Sequence, residues 1–168
     1  TQELAQIRPR ILVILGADND LKTNQDWENI QETFGGDADI ELFLPNKFPP
    51  GQVKMKKALA DCLRYGHKQS GAWSIIVFAG HGDAGGGLSL SRDEVVSSDD
   101  LREVLKPAIE NGLGLLVLGA CHGMAFGLNA IGDGVALPWT VAMQSKIEDR
   151  ACILFLDELL KAYRDRHY

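Results

Sequence analysis

The chain has 168 residues, 45% of them hydrophobic, which suits one domain over residues 1–168 with a full core. Its 17 Lys and Arg against 23 Asp and Glu leave a net charge of −6, and this argues against a nucleic-acid partner, because phosphate binding needs clustered positive charge. The longest apolar run is far short of the roughly 20 residues of a membrane span, and no basic-then-apolar leader precedes Arg8, so a soluble chain with no membrane partner is expected.

Lys54, Lys56 and Lys57 are the one basic cluster and read as the wet face of a helix. Thr1 in place of an initiator Met reads as an excised domain or a processed chain, so a regulatory module could lie elsewhere. Cys62, Cys121 and Cys152 show no metal-like spacing and leave an odd thiol, a pattern that fits a reducing cytoplasm. Cys62 falls in one helical pattern with Ala58, Leu59 and Leu63, and Cys152 in another with Ile147, Ala151 and Leu154, so both read as small buried hydrophobes. Cys121 differs, since it follows a strand and has small neighbours that leave it approachable.

In chain order, Arg10 to Leu15 reads as a first strand that opens into the loop Gly16-Ala17-Asp18-Asn19-Asp20. A helix near Gln25 to Phe34 ends at Gly35-Gly36, where glycine accepts the left-handed stop. Ile40 to Leu44 is a short strand closed by Pro45. Gln52 to Tyr65 places Val53, Met55, Leu59, Cys62 and Leu63 at helical spacing, and Gly66 stops it. Ser74 to Ala79 is the next strand.

The glycines between Gly82 and Ser91 forbid a helix, so Leu88-Ser89-Leu90 reads as a hairpin or edge strand. Ser98 then caps a helix with Asp99 and Asp100 at its positive end, Leu101, Val104, Leu105 and Ile109 on one face, and Gly112 as the stop. Pro107 predicts a kink or a shorter helix. Leu113 to Leu118 and Trp139 to Met143 are further strands, and Ile147 to Tyr163 is a closing amphipathic helix. Strands alternating with helices imply an α/β fold with a parallel, helix-flanked sheet and right-handed crossovers.

Two of these strands run straight into reactive side chains: Ile75-Ile76-Val77-Phe78-Ala79-Gly80-His81-Gly82, and Leu115-Leu116-Val117-Leu118-Gly119-Ala120-Cys121-His122-Gly123. Open parallel sheets bind and react at the carboxyl ends of their strands. If the two strands are neighbours, thiol and imidazole reach one edge together. There the imidazole can take the thiol proton and later protonate a leaving amine.

Competing readings of the same residues are weaker. Gly80-His81-Gly82-Asp83-Ala84-Gly85 satisfies the dinucleotide spelling G-x-G-x-x-G after a strand. In that fold the third glycine lies in a helix, whereas Gly86-Gly87-Leu88-Ser89-Leu90 cannot continue as one, and Ser98 and Asp99 occupy the place of the ribose-binding acid. Asp83, His81, Cys121 and His122 are all possible zinc ligands but lack a short paired spacing. No metal or organic cofactor is therefore expected. His122, adjacent to Cys121, points elsewhere on a chain leaving a strand, so it reads either as a cleft-lining residue or as a loop residue bonded to backbone. His67 and His167 read as solvent-facing.

Gly80-His81-Gly82 followed about 40 residues later by Gly119-Ala120-Cys121-His122-Gly123 resembles the caspase-like cysteine peptidases, the clan of caspases, metacaspases, separases and gingipains, and within them the bacterial CHAT domains. Pro9 to Leu15, the Gly85-Gly86-Gly87-Leu88 turn, Val141-Ala142-Met143-Gln144, Asp149-Arg150-Ala151 and Phe155 are similar to CHAT stretches in the same order. The resemblance implies a caspase-like three-layer α/β/α sandwich with a mostly parallel sheet, and a cysteine-type endopeptidase activity. His81 would be general base and acid, Cys121 the nucleophile, and the backbone N–H groups of Gly82 and Cys121 the oxyanion hole.

Trp139 to Lys146 would line the peptide cleft, with Met143 and Gln144 beside an extended substrate added along a strand edge. No third catalytic residue is required. Metacaspases carry an acid two residues before the nucleophile, where this chain has Gly119, and caspases an arginine after it, where this chain has His122. The side-chain preference is therefore not transferable, and Asp83, Asp133 and Asp149 remain candidates for receiving a basic side chain. The resemblance further implies a protein or peptide substrate and a regulatory or sensor module in bacterial defence or cell death. The alternative is a catalytically silent CHAT-like module that binds a peptide or partner.

Overall fold

The computed structural model describes residues 9–15, 32, 36, 38–43, 55–65, 73–80, 88–90, 94–120, 139–142, 154, 157–159 and 161–162. In chain order its elements are β1 (Arg10–Leu15), β2 (Asp39–Phe43), α1 (Met55–Tyr65), β3 (Ile75–Gly80), β4 (Leu88–Ser89), β5 (Val95–Val96), α2 (Ser98–Glu110), β6 (Leu115–Ala120) and β7 (Trp139–Ala142). Five strands form one sheet in the order β2-β1-β3-β6-β7, and every pairing in it is parallel. The fold is α/β with a mostly parallel sheet; β4 and β5 pair separately and antiparallel.

The near-continuous apolar runs follow from burial on both faces. On one face, register aligns Leu12 with Ile76 and Leu116, and Ile14 with Phe78 and Leu118. These side chains pack with Leu59 and Leu63 of α1 and Leu101, Leu105 and Ala108 of α2. On the other face Ile11, Val13, Val77 and Val117 are also shut off from solvent. Each such side chain contributes about 1.5–3 kcal/mol when fully buried, so the inner strands tolerate no polar alternation.

Strand order also explains why both helices share a face. The step from β1 to β2 goes one way across the sheet, whereas β2 to β3 and β3 to β6 go the other. Right-handed crossovers in one direction lie on one side, and α1 and α2 do pack together there.

The amino ends of the strands are held level by a set of backbone and side-chain bonds. Asp39 N–H donates to the Pro9 carbonyl at 2.9 Å, Ser74 N–H to the Arg10 carbonyl at 2.8 Å, and Gly114 N–H to the Ser74 carbonyl at 3.0 Å. Arg10 N–H donates to the Ser74 hydroxyl at 3.2 Å. Trp73, buried at the entry to β3, donates its indole N–H to the Cys62 carbonyl at 3.0 Å. The Arg10 guanidinium lies over its ring, 4.5 Å from the centroid. β3 and β6, which start level and are both six residues long, also finish level.

α2 shows how the sequence sets its own boundaries. Its N-cap is Ser97, whose hydroxyl accepts from Asp100 N–H at 3.2 Å; the cap expected at Ser98 sits one residue earlier. Asp99 and Asp100 stand in the first turn against the positive end of the helix. Pro107 does not shorten the helix, which runs on to Glu110. The proline's missing amide costs one backbone bond, and three helical residues still follow it. Asn111 closes the helix and Gly112 takes φ 103°, a left-handed stop that favours glycine.

Other boundaries shift slightly. β2 starts at Asp39, and β3 and β6 extend to Gly80 and Ala120, past the expected Ala79 and Leu118. The expected hairpin strand is present at Leu88–Ser89, with Val95–Val96 as its partner. Of the two outer helices expected over 25–34 and 147–163, Glu32 and residues 154, 157–159 and 161–162 are helical, and the rest lie outside the described residues. No helix among the described residues is long and apolar enough to cross a membrane.

Because Leu116 sits in β6 with 1% of its surface exposed, Leu116→Ala is expected to lower unfolding free energy by about 2–5 kcal/mol. Val95, 40% exposed, should lose less than about 1 kcal/mol as Val95→Ala. Urea denaturation monitored by circular dichroism measures both, and equal losses would contradict the packing described.

Candidate active site

The two strands that lead to His81 and Cys121 are direct neighbours. β3 and β6 pair in parallel over their whole length, Ile75 opposite Leu115 through to Gly80 opposite Ala120. His81 and Cys121 are therefore the next residues out of two strands that end level at the centre of the sheet. Both lie outside the described residues, as do Gly82, Asp83, His122, Asp133, Met143, Gln144 and Asp149. Paired strands lie about 4.8 Å apart, so β3 and β6 bring the chain side by side to Gly80 and Ala120.

Small residues at the strand ends suit a reactive edge. Ala79, Gly80, Gly119 and Ala120 bring the backbone to the rim without bulk, in contrast to the Ile, Val, Leu and Phe behind them. Those larger residues make a rigid apolar floor, since Val77, Phe78, Val117 and Leu118 are all within 2% of complete burial. Reactive groups mounted on such strands inherit the positional precision of the core.

The register also separates residues that the sequence groups together. Trp139 stands opposite Leu115 at the entering end of β7. Five residues along β6 separate Leu115 from Ala120, a distance of about 16 Å at 3.3 Å per residue. Trp139 is thus remote from the rim where Cys121 emerges. β7 ends at Ala142, opposite Leu118, and Met143 and Gln144 follow it in sequence.

The nucleotide alternative meets an obstacle in β4. Leu88 and Ser89, three and four residues after Gly85, are extended and paired with Val96 and Val95. A pyrophosphate-binding helix starting at the glycines would still be running there. The conceivable zinc set of His81, Asp83, Cys121 and His122 falls outside the described residues; among the described ones, no three His, Cys, Asp or Glu side chains converge as metal ligands.

Two arrangements near the helices have no obvious sequence signal. One is the Arg10 and Trp73 stack at the amino edge. The other is a polar group at the opposite edge: Glu94 Oε2 accepts from Lys56 N–H at 3.3 Å, and Lys56 Nζ pairs with Asp100 Oδ2 at 2.9 Å. Both join residues distant in sequence, and neither leaves a periodic trace. The Lys56 bond to the Asp100 carboxylate, helped by the Ser97 hydroxyl, holds Asp100 below the usual carboxylate range.

Cys62 behaves as the helical pattern suggests. It is half-buried and packs against the core, and its thiol is pushed up to about 11, first by burial and then by the charge of Glu41, against an opposing effect of Arg10. Since the thiolate is the reactive form, Cys62 should alkylate at pH 7.5 about a hundredfold or more slower than a free cysteine. Iodoacetamide labelling followed by peptide mass spectrometry measures this, and labelling of Cys62 at the free-cysteine rate would contradict its burial.

Comparison with protein-family models finds no match, and comparison with curated proteins finds none either.

Proposed function

We propose that the chain is a cysteine-type endopeptidase of the caspase-like α/β/α type, with Cys121 as nucleophile and His81 as general base and acid. The observation that carries the reading is the in-phase pairing of β3 and β6, which ends both strands at Gly80 and Ala120 immediately before the two residues. Either residue alone would read as a core thiol or a loop imidazole. That both follow the ends of neighbouring central strands in sequence, on a glycine-flanked motif similar to that of the CHAT domains, favours chemistry. Burial of both faces of the sheet and the order β2-β1-β3-β6-β7 agree with a three-layer arrangement.

In the proposed mechanism His81 takes the Cys121 proton, and the thiolate attacks the scissile carbonyl carbon of a protein or peptide substrate. A carbon–sulfur bond forms as the carbonyl π pair moves to oxygen. The backbone N–H groups of Gly82 and Cys121 receive this oxyanion, each such donor being worth about 3 kcal/mol. Collapse breaks the carbon–nitrogen bond, and His81 gives its proton to the departing amine. Water then attacks the thioester with His81 taking its proton, which releases the acid and restores the thiol.

An extended substrate added along the edge of β7, rather than along the rim, would place its far end toward Trp139, away from the bond that breaks. Asp83, Asp133 and Asp149, in a chain of net charge −6, are the candidates for receiving a basic side chain, with His122 lining the cleft. A regulatory or sensor module, in cis or in trans, in a cytoplasmic bacterial defence or cell-death setting completes the proposal.

Cys121→Ala and His81→Ala are each expected to reduce cleavage of a peptide library by about 10³-fold or more, with circular dichroism and melting temperature unchanged. Retained turnover in either variant would remove the dyad. A wild-type protein that binds peptides without cutting them would support the silent binding module.

A further inference from the structure

The β4–β5 hairpin is built unlike the sheet beside it. β3 and β6 share six register partners and are sealed on both faces, whereas the hairpin has two register pairs, Leu88 with Val96 and Ser89 with Val95. Its outer strand shows one side chain to each medium, with Val95 exposed and Val96 buried. A hairpin this short is not stable alone, so attachments to its surroundings hold it in place.

Two of these attachments are apolar: Leu90 and Val96 are buried in the cluster shared by the sheet, α1 and α2. Glu94 supplies a polar one. Its backbone carbonyl accepts from Leu90 N–H at 2.9 Å and closes the hairpin, while its carboxylate accepts from Lys56 N–H at 3.3 Å. Lys56 is the second residue of α1, where a helix offers its amides no acceptor of its own. The hairpin provides one, and the carboxylate also faces the positive end of the helix. Lys56 Nζ in turn pairs with Asp100 in the first turn of α2.

The attachment lies toward the carboxyl ends of the strands. The Trp73 indole bond to the Cys62 carbonyl sets the last turn of α1 at the amino edge, and the Gly114 bond to Ser74 does the same for the exit from α2. With 11 residues, α1 is about 16 Å long, which matches five steps along a strand. Its start, with Glu94 upon it, therefore reaches the opposite edge.

We infer that the β4–β5 hairpin is a strap that opens as one unit while the sheet stays folded, and that Glu94 is its latch. Local opening favours the units with the fewest buried contacts, and the contrast between two register pairs and six marks the hairpin as such a unit. Opening withdraws Leu90 and Val96 from the cluster and exposes the apolar surface they cover, beside the starts of both helices. The Lys56 amide belongs to α1 yet loses its acceptor when the hairpin leaves, so it reports the strap from outside.

Hydrogen exchange of the full chain at several low guanidinium concentrations tests this. In wild type the Leu90 and Lys56 amides are expected to exchange about tenfold or more faster than those of Val77 and Val117, corrected for intrinsic rates, and with a shallower denaturant dependence. Glu94→Ala should quicken Leu90 and Lys56 about fivefold, the ratio for a lost cap. Val77 should quicken by no more than that factor, because the unfolded chain lacks the bond as well. Glu94→Gln, which keeps an acceptor, and Glu110→Ala, an exposed change at the far end of α2, should both stay within about twofold of wild type. Leu90 sharing the rate and denaturant dependence of Val77 would overturn the strap. Faster exchange at Lys56 alone in Glu94→Ala would overturn the latch, since it would report a frayed helix end. Neither His81 nor Cys121 enters the test, so the outcome is independent of the proposed dyad.

Discussion

The parallel pairing of β3 with β6 is the constraint on which everything else depends. Residues forty positions apart are brought side by side along six consecutive register partners, and the apolar side chains beneath them are sealed on both faces of the sheet. The same bonds that level the strands at Ser74, Arg10 and Gly114 decide where they finish. Core packing at one end of the sheet thereby sets geometry at the other. A slip of two residues between β3 and β6 would preserve every buried side chain's face and still separate the two strand ends by about 7 Å, so the bonds at the amino edge matter to the site as much as the hydrophobic core does.

Much of this architecture is legible in the sequence, because buried parallel strands have a distinct texture. Ile11-Leu12-Val13-Ile14, Ile75-Ile76-Val77-Phe78 and Leu115-Leu116-Val117-Leu118 are apolar without alternation, and only burial on both faces explains that. The start and stop of α2 are equally readable: a hydroxyl cap, two acids, and a glycine at the left-handed exit. What the sequence conceals is pairing across distance. Val95 and Val96 are too few to stand out as a strand, and they become one only because Leu88 and Ser89 lie alongside. The Glu94 bond to Lys56 joins residues 38 positions apart and has no local signature.

The candidate site divides along the same line. That His81 and Cys121 follow buried strands is evident from composition, whereas the adjacency of those strands emerges only from sheet order and register. Trp139 shows the reverse. It belongs by sequence to the same stretch as Met143 and Gln144, yet pairing with Leu115 sets it at the entering end of β7. At about 3.3 Å per residue, Trp139 lies about 10 Å back along the strand from Ala142. The contrast between the cysteines is also structural: burial and Glu41 raise the Cys62 thiol to about 11, while Cys121 follows a strand end of small residues.

The central claim is that thiol and imidazole share one rim closely enough to exchange a proton. The rate of Cys121 alkylation as a function of pH, compared between wild type and His81→Ala, tests it most directly. The wild-type midpoint is expected about one pH unit or more below the roughly 8.5 of a free cysteine, returning to that value when the imidazole is removed. Superimposable profiles for the two proteins would contradict it.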